Sequence, residues 1–241
     1  MKLNRTRVTA MARKELREYR RNRSLVVGMA IIPLIFLVQP LVGIFTTSGD
    51  AAVALSHRHE LLYLLGIPAL VPATLAAYAV VGERQQGTLE PVLGTPIRRN
   101  ELLIAKVLAV LVPSIAIAYA VYAIFLLCVE LFADQAVANA LIQGPDIVAQ
   151  VLFTPLLAAW SIWIGLAISA RSSDVRVAQQ LGALASLPTI ALTTLIAVNV
   201  IHPSLELAVV LAAALLVGNR VGSRVVTRMF DRERLITGRG S

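Results

Sequence analysis

Residues 82–106 read GERQQGTLEPVLGTPIRRNELLIAK and separate two apolar runs that are each long enough to cross a membrane. This polar hairpin is more ordered than a simple connection requires. Gly87 and the Gly-Thr-Pro sequence at 94–96 enclose a predicted helix of under two turns, with Thr88 as its N-cap and Pro91 in its first turn, where proline is tolerated. We therefore expect a short capped helix, held by two membrane spans, that can transmit force to a bound partner.

Composition places the whole chain in a membrane. Hydrophobic residues make up 57% and charged residues 15% of its 241 residues, and the mean hydropathy is +0.76. A soluble domain carries about 25% charged residues. We expect an all-α integral membrane protein with a single domain over residues 1–241, made of an N-terminal segment 1–24, six spans over 25–224 and a tail 225–241. The predicted spans are 25–45, 61–81, 107–127, 147–168, 177–198 and 205–224.

The basic residues lie almost entirely on one side of these spans. The net charge of +8 could suggest nucleic acid as a partner, but 21 of the 22 lysines and arginines fall in the N-terminal segment, the hairpin, the 169–176 loop and the C-terminal end. The exception is Arg58. The positive-inside rule then places both termini and the hairpin in the cytoplasm of a multi-pass protein of the cell membrane, next to anionic lipid. No nucleic-acid partner is expected.

Residues 7–21 form a predicted amphipathic helix at the cytoplasmic interface. Glu15 falls inside its apolar face, which is unusual. Two interpretations stay open: Glu15 is an exposed edge residue, or it contacts another cytoplasmic element such as the hairpin. The apolar face comprises Val8, Met11, Ala12, Leu16 and Tyr19, and the opposite face carries Arg13, Arg17, Arg20 and Arg21.

Local signals mark the start and the interior of several spans. Asn100 is the predicted N-cap of the third span, with Glu101 in its first turn. Proline interrupts the hydrogen bonds of a helix, and kinked spans suit a bundle that opens and closes. Each of the first five predicted spans contains at least one proline: Pro33, Pro68, Pro72, Pro113, Pro155 and Pro188.

The sequence lacks the residues that several membrane chemistries require. The central parts of the spans contain no Asp, Glu, Lys or His, which argues against a proton- or sodium-coupled carrier. There is no H-E-x-x-H, no G-x-S-x-G and no G-x-x-x-x-G-K-[ST], so neither an intramembrane hydrolase nor ATP binding by this chain is expected. The sequence His-Arg-His-Glu at 57–60 offers too few ligands for a structural metal site and is predicted to be a solvated loop.

The hairpin and its flanks resemble the ABC-2 family, the membrane subunits of a large class of ABC exporters. The resemblance is specific over about fifty residues and covers the whole chain in layout. The matching residues of the hairpin are Glu83, Gly87-Thr88-Leu89-Glu90, Leu93, Thr95-Pro96, Arg98 or Arg99, Glu101-Leu102-Leu103 and Lys106. Those of the two ends are Arg13-Lys14-Glu15-Leu16 and Met229-Phe230-Asp231-Arg232-Glu233.

This resemblance implies a permease that works with a separate ATPase. The coupling helix at 88–93 would dock on that ATPase, which would bind ATP and Mg, and this chain would bind no cofactor and no metal. Two ATPase copies would serve two permease chains, either identical or similar. The implied docking residues are Glu83, Gly87, Thr88, Leu89, Glu90 and Leu93, and Glu15 and Tyr19 would support them from the interfacial helix.

Two other functions stay open, and the chain departs from some family members. It could be an ATP-independent carrier, or a membrane scaffold whose ATPase drives assembly. Residues 177–224 barely suffice for two crossings and a turn, so we expect none of the re-entrant helices that some members have there. The 46–60 loop is too short for a large external domain. The apolar bundle favours a hydrophobic or amphipathic cargo without identifying it.

Overall fold

The computed structural model describes residues 4–46, 59–87 and 98–229. Within these ranges the chain is helical and contains no β-strand, which confirms the predicted all-α class. In chain order the helices of the described part are α1 Arg5–Arg21, α2 Arg23–Thr46, α3 Glu60–Tyr63, α4 Gly66–Gln85, α5 Arg99–Phe132, α6 Gln135–Leu141, α7 Gly144–Arg171, α8 Val175–Ala197 and α9 Leu205–Met229.

Six segments are long and apolar enough to cross a membrane, in the predicted order. They are α2, the pair α3–α4, α5, α7, α8 and α9. Most of them extend beyond the predicted spans, because a helix continues past the hydrocarbon until a breaker stops it. The last helix thus runs to Met229, into the segment predicted as tail. Between α8 and α9 the residues 198–204 form no helix, as expected for a chain without re-entrant helices there.

Helix α4 lies at the centre of the bundle and is buried on nearly all sides. Small residues allow this close packing. A Cβ built on Gly165 of α7 would lie 2.5 Å from the carbonyl oxygen of Ala73, and one on Gly182 of α8 would lie 3.1 Å from the same oxygen. In a membrane, association of helices depends on such close van der Waals contact, because lipid tails are as apolar as leucine. The hydroxyl of Ser169 on α7 also accepts the N–H groups of Val80 and Val81, at 3.0 and 3.1 Å.

The outer helices expose apolar side chains, as expected for contact with lipid. No residue in the most apolar window of α9 is buried, and only 28% of the corresponding windows of α2 and α8 is buried. Helix α9 is held to α7 at two glycines, Gly218 against the ring of Trp160 and Gly222 against Trp163. The four-residue spacing of these glycines is the small-xxx-small pattern of membrane helix pairs.

The ends of the helices explain where the chain turns. Asn4 caps α1, and its side chain accepts the N–H groups of Thr6 and Arg7. The prediction that Asn100 caps the third span is wrong: α5 begins at Arg99 with Arg98 as N-cap. Glu101 does lie in the first turn, and its carboxylate accepts the N–H groups of Arg98 and Asn4, which fixes this earlier start.

Proline lies inside each of the helices α2, α4, α5, α7 and α8, as predicted. The predicted Pro33, Pro72, Pro113, Pro155 and Pro188 lie in the interior of these helices, Pro68 lies in the first turn of α4, and Pro40 is a further proline in α2. The short helix α6 was not predicted. It follows α5 directly and buries Val137, Ala138, Ala140 and Leu141.

Candidate functional site: a buried lysine at the base of the hairpin

The N-terminal helix, both ends of the hairpin and the loop between α7 and α8 meet at one end of the bundle, which we call the hairpin end. The N–H of Asn4 donates to Glu101 at 3.0 Å. On the other side of the hairpin, the guanidinium of Arg84 donates to the carbonyl of Ser172 at 2.8 Å, and Gln85 donates to that of Ser173 at 3.3 Å. The described residues that flank the hairpin are therefore fixed to the rest of the protein.

One fully buried lysine joins three helices at this end. The Nζ of Lys106 on α5 lies 2.7 Å from Glu15 Oε1 on α1, 2.7 Å from Glu83 Oε2 on α4 and 2.7 Å from the carbonyl oxygen of Ala79. An ammonium group has three protons to donate, so these acceptors use its full capacity. We call Glu15, Glu83 and Lys106 the Lys106 cluster. It links α1 to α4 and α5, the two helices that flank the hairpin.

The sequence positions these groups through helix geometry. Glu15 lies on the face of α1 that also buries Val8 and Tyr19. Glu83 lies in the last turn of α4, and Lys106 lies two turns inside α5. Isolated charges are almost never tolerated at such depth, so mutual pairing is the condition for burial. Of the two interpretations of Glu15, the structure supports the contact, because Glu15 is 1% exposed.

A second lysine lies at the rim of the cluster. Lys14 on α1 is 3.0 Å from Glu18 Oε1 and 3.3 Å from Glu83 Oε1. Burial alone would lower the pKa of Lys14, but the hydrogen bond to Glu18 and the charge of Glu83 outweigh this effect, so its pKa is raised. Lys14 therefore stays charged and partly neutralises the second oxygen of Glu83.

The ammonium of Lys106 favours the ionised form of Glu15, whereas burial favours the neutral form. Burial raises the pKa of Glu15, and the ammonium of Lys106 opposes only part of that effect. Burial, together with the charge of Glu15, also raises the pKa of Tyr19 well above its ordinary value, so this phenol stays neutral. Its ring packs edge-on against Tyr78 of α4, with centroids 6.3 Å apart. Glu15 thus connects α1 to α5 by an ion pair, and Tyr19 connects α1 to α4 by an aromatic contact.

Two lysines already form ion pairs with the acidic side chains of this region. Oxygens of Glu15, Glu18 and Glu83 lie within 4.8 Å of one another, a spacing that a metal ion could use. The ammonium groups of Lys14 and Lys106 lie between these carboxylates at ion-pair distance. A divalent cation there would face two positive charges at close range. We assign the cluster a structural role in linking the three helices.

The predicted docking residues divide into two groups. Thr88, Leu89, Glu90 and Leu93, with the whole predicted coupling helix, lie outside the described residues. Gly87 follows α4 with a φ of 68°, a left-handed conformation that glycine adopts without a Cβ penalty. Glu83 points inward to Lys106, with 6% of its side chain exposed. Its contact with a partner chain stays a prediction.

The opposite end of the bundle holds polar contacts that the sequence did not predict. Residues 59 and 60 were expected in a solvated loop, which is wrong for this described pair. His59 Nδ1 lies 2.9 Å from Asp146 Oδ1, and the buried Glu60 accepts a hydrogen bond from Gln39 at 3.0 Å. Asp146 is separated from His59 by 87 residues, so no local pattern could reveal the pair.

The described geometry defines a polytopic helical membrane protein in which the residues flanking the polar segment 88–97 are anchored at one end of the bundle. The sequence model of the family described as ABC-2 family transporter protein matches residues 9–208, and the chain belongs to this family. No curated protein matches the chain. Membership makes the chain a permease component of an ABC transporter, as opposed to its nucleotide-binding component, and permeases of this family normally work with an ABC ATPase.

Proposed function

We propose that this chain is the membrane-spanning subunit of an ATP-driven exporter and that the hairpin docks on a separate ATPase. The supporting observation is the Lys106 cluster. It ties both helices that hold the hairpin, α4 and α5, to α1 through contacts of 2.7 Å. A displacement of the hairpin would therefore reach two membrane spans and the interfacial helix together. Such a rigid connection is what a coupling element requires.

The proposal assigns the hairpin end to the cytoplasm. In the sequence, 21 of the 22 lysines and arginines fall in the N-terminal segment, the hairpin, the 169–176 loop and the C-terminal end, a distribution that the positive-inside rule assigns to the cytoplasm. Two ATPase copies would bind ATP and Mg, and two permease chains, identical or similar, would enclose the path. Closure of the ATPase pair on ATP would draw the two hairpins together and shift the bundle between two states. Thr88, Leu89, Glu90 and Leu93 would form the docking surface.

Co-purification tests the docking step. The tagged chain is extracted from its native membrane in mild detergent, and the proteins that elute with it are identified by mass spectrometry. We expect a P-loop ATPase in near-equal amount, and we expect Glu90→Arg to lose it. The control is Glu130→Arg, the same charge reversal at an exposed position on the opposite end of α5. Recovery of the chain alone in the wild type, or equal loss in both variants, contradicts docking through the hairpin.

Reconstitution separates the three candidate functions. Cargo-stimulated ATP hydrolysis by the purified complex in vesicles is expected of an exporter, and its absence would favour the scaffold. Solute flux driven by an ion gradient with the chain alone would favour the ATP-independent carrier.

A further inference from the structure

A side groove opens between α1, α2 and α5 near the hairpin end. Its volume is about 520 Å³, within the roughly 300–1,000 Å³ of small-molecule sites. The walls are apolar and include Pro33 of α2 and Pro113 of α5, and the charged residue of the lining is Arg20 of α1. We propose that this groove binds an anionic phospholipid, with one acyl chain along the walls and the phosphate on Arg20. This inference does not depend on the proposed function.

The dimensions of the groove fit one acyl chain. Along α2 its wall runs from Val26 to Leu34, and along α5 from Pro113 to Val121. Eight residues of helix span about 12 Å, close to the ~15 Å of hydrocarbon in one leaflet. An acyl chain that enters beside α1 would therefore be covered over most of its length.

Arg20 is the charged residue among those that line the groove, and its exposed guanidinium can bind a phosphate. Arg20 lies in the last turn of α1, is exposed, and makes no ion pair with any residue of the described part. Arg21 and Arg23 follow it and are also exposed. A second copy of the chain could cover the apolar walls, but an apolar helix would leave this guanidinium without a partner. A phospholipid satisfies both the walls and the charge.

Native mass spectrometry of the full chain in detergent tests the site. Phosphatidylglycerol and phosphatidylcholine with identical acyl chains are added in separate titrations. We expect phosphatidylglycerol to bind about fivefold more tightly, the factor that one basic side chain contributes at an anionic surface. Arg20→Gln should abolish this preference. Arg13→Gln, at an exposed position of the same helix outside the groove, should keep it.

A larger side chain in the wall of the groove should exclude the acyl chain and weaken lipid binding. Ala30→Phe introduces a ring at an exposed position of the wall, and we expect it to weaken binding of both lipids at least fivefold. Ala214→Phe, exposed on α9, is the matched control and should bind like the wild type. Unchanged binding in Ala30→Phe, or the same loss of preference in Arg13→Gln and Arg20→Gln, overturns the proposal. A change of oligomeric state in Ala30→Phe with lipid binding intact would assign the groove to a second copy.

A photoreactive lipid tests the wild type without any substitution. Phosphatidylglycerol with a diazirine in its acyl chain is irradiated with the chain in vesicles, and cross-linked peptides are mapped. Cross-links on α2 and α5 between residues 26–34 and 113–121 are expected. Cross-links confined to other helices would overturn the site.

Discussion

Removal of the Lys106 ammonium should cost much of the stability of the protein. Lys106→Met keeps most of the side-chain volume but leaves Glu15 and Glu83, which are 1% and 5% exposed, without their shared cation. Breaking a buried ion pair by removal of one partner costs about 3–5 kcal/mol. Lys14 remains 3.3 Å from Glu83, so we expect the lower part of this range. For a chain of this size each kcal/mol lowers the melting temperature by about 2–4 °C, which gives roughly 6–12 °C.

The lone cysteine provides the assay. Cys128 on α5 is partly buried, so a thiol-reactive dye reports its exposure during thermal unfolding in detergent. Lys14→Met, which removes a partly exposed ammonium, is the control and should cost less than about 1 kcal/mol. The triple variant Glu15→Met, Glu83→Met, Lys106→Met should recover most of the loss, because apolar side chains often replace a buried ion pair without cost. A loss below 3 °C in Lys106→Met, or a triple variant no more stable than the single one, would refute this reasoning.

Three further predictions concern packing, the hairpin turn and topology. Gly165→Ala should lower the free energy of unfolding by about 1–3 kcal/mol, because the new Cβ would lie 2.5 Å from the backbone oxygen of Ala73. Gly28→Ala is the control and should not destabilise the protein, because no atom lies within 4 Å of the Cβ that it adds. The Cys128 melting assay compares the two variants. Gly87→Ala should cost about 1–2 kcal/mol in the same assay, because the residue has a φ of 68°, and Gly87→Asn should cost less. In a Cys128→Ser background, a membrane-impermeant maleimide on intact cells should label a cysteine at Asp134 but not one at Gln86, and the reverse would contradict a cytoplasmic hairpin.

The number and order of the spans could be predicted because the membrane imposes a length of apolar sequence that few other structures need. The six predicted segments all became membrane-length helices. Boundaries were less predictable. Helix α5 starts at Arg99 because Glu101 accepts the N–H groups of Arg98 and Asn4, and the contact with Asn4 joins residues 97 positions apart.

The candidate site could be predicted only in part. Glu15 was conspicuous because it interrupts an apolar face, and this local signal left a contact with another cytoplasmic element as one of two interpretations. Lys106 entered only as part of a family motif, because an isolated lysine at the edge of an apolar run usually extends to the lipid head groups. Its burial depends on the approach of Glu15, 91 residues away, and no pattern in the sequence measures that distance. The partner of His59 was hidden for the same reason.

The contact of Gly165 and Gly182 with the same carbonyl of Ala73 limits how this bundle can deform. Helices that touch backbone to backbone have no side chains between them to re-orient, so α4, α7 and α8 can shift relative to one another only by separating. Any alternation between open and closed forms must therefore treat these three helices as a single rigid body. The sliding surfaces would lie where longer side chains intervene, between this body and α1, α2 and α5. The Lys106 cluster crosses this surface and ties α1 and α5 to α4, so it limits such sliding at the hairpin end.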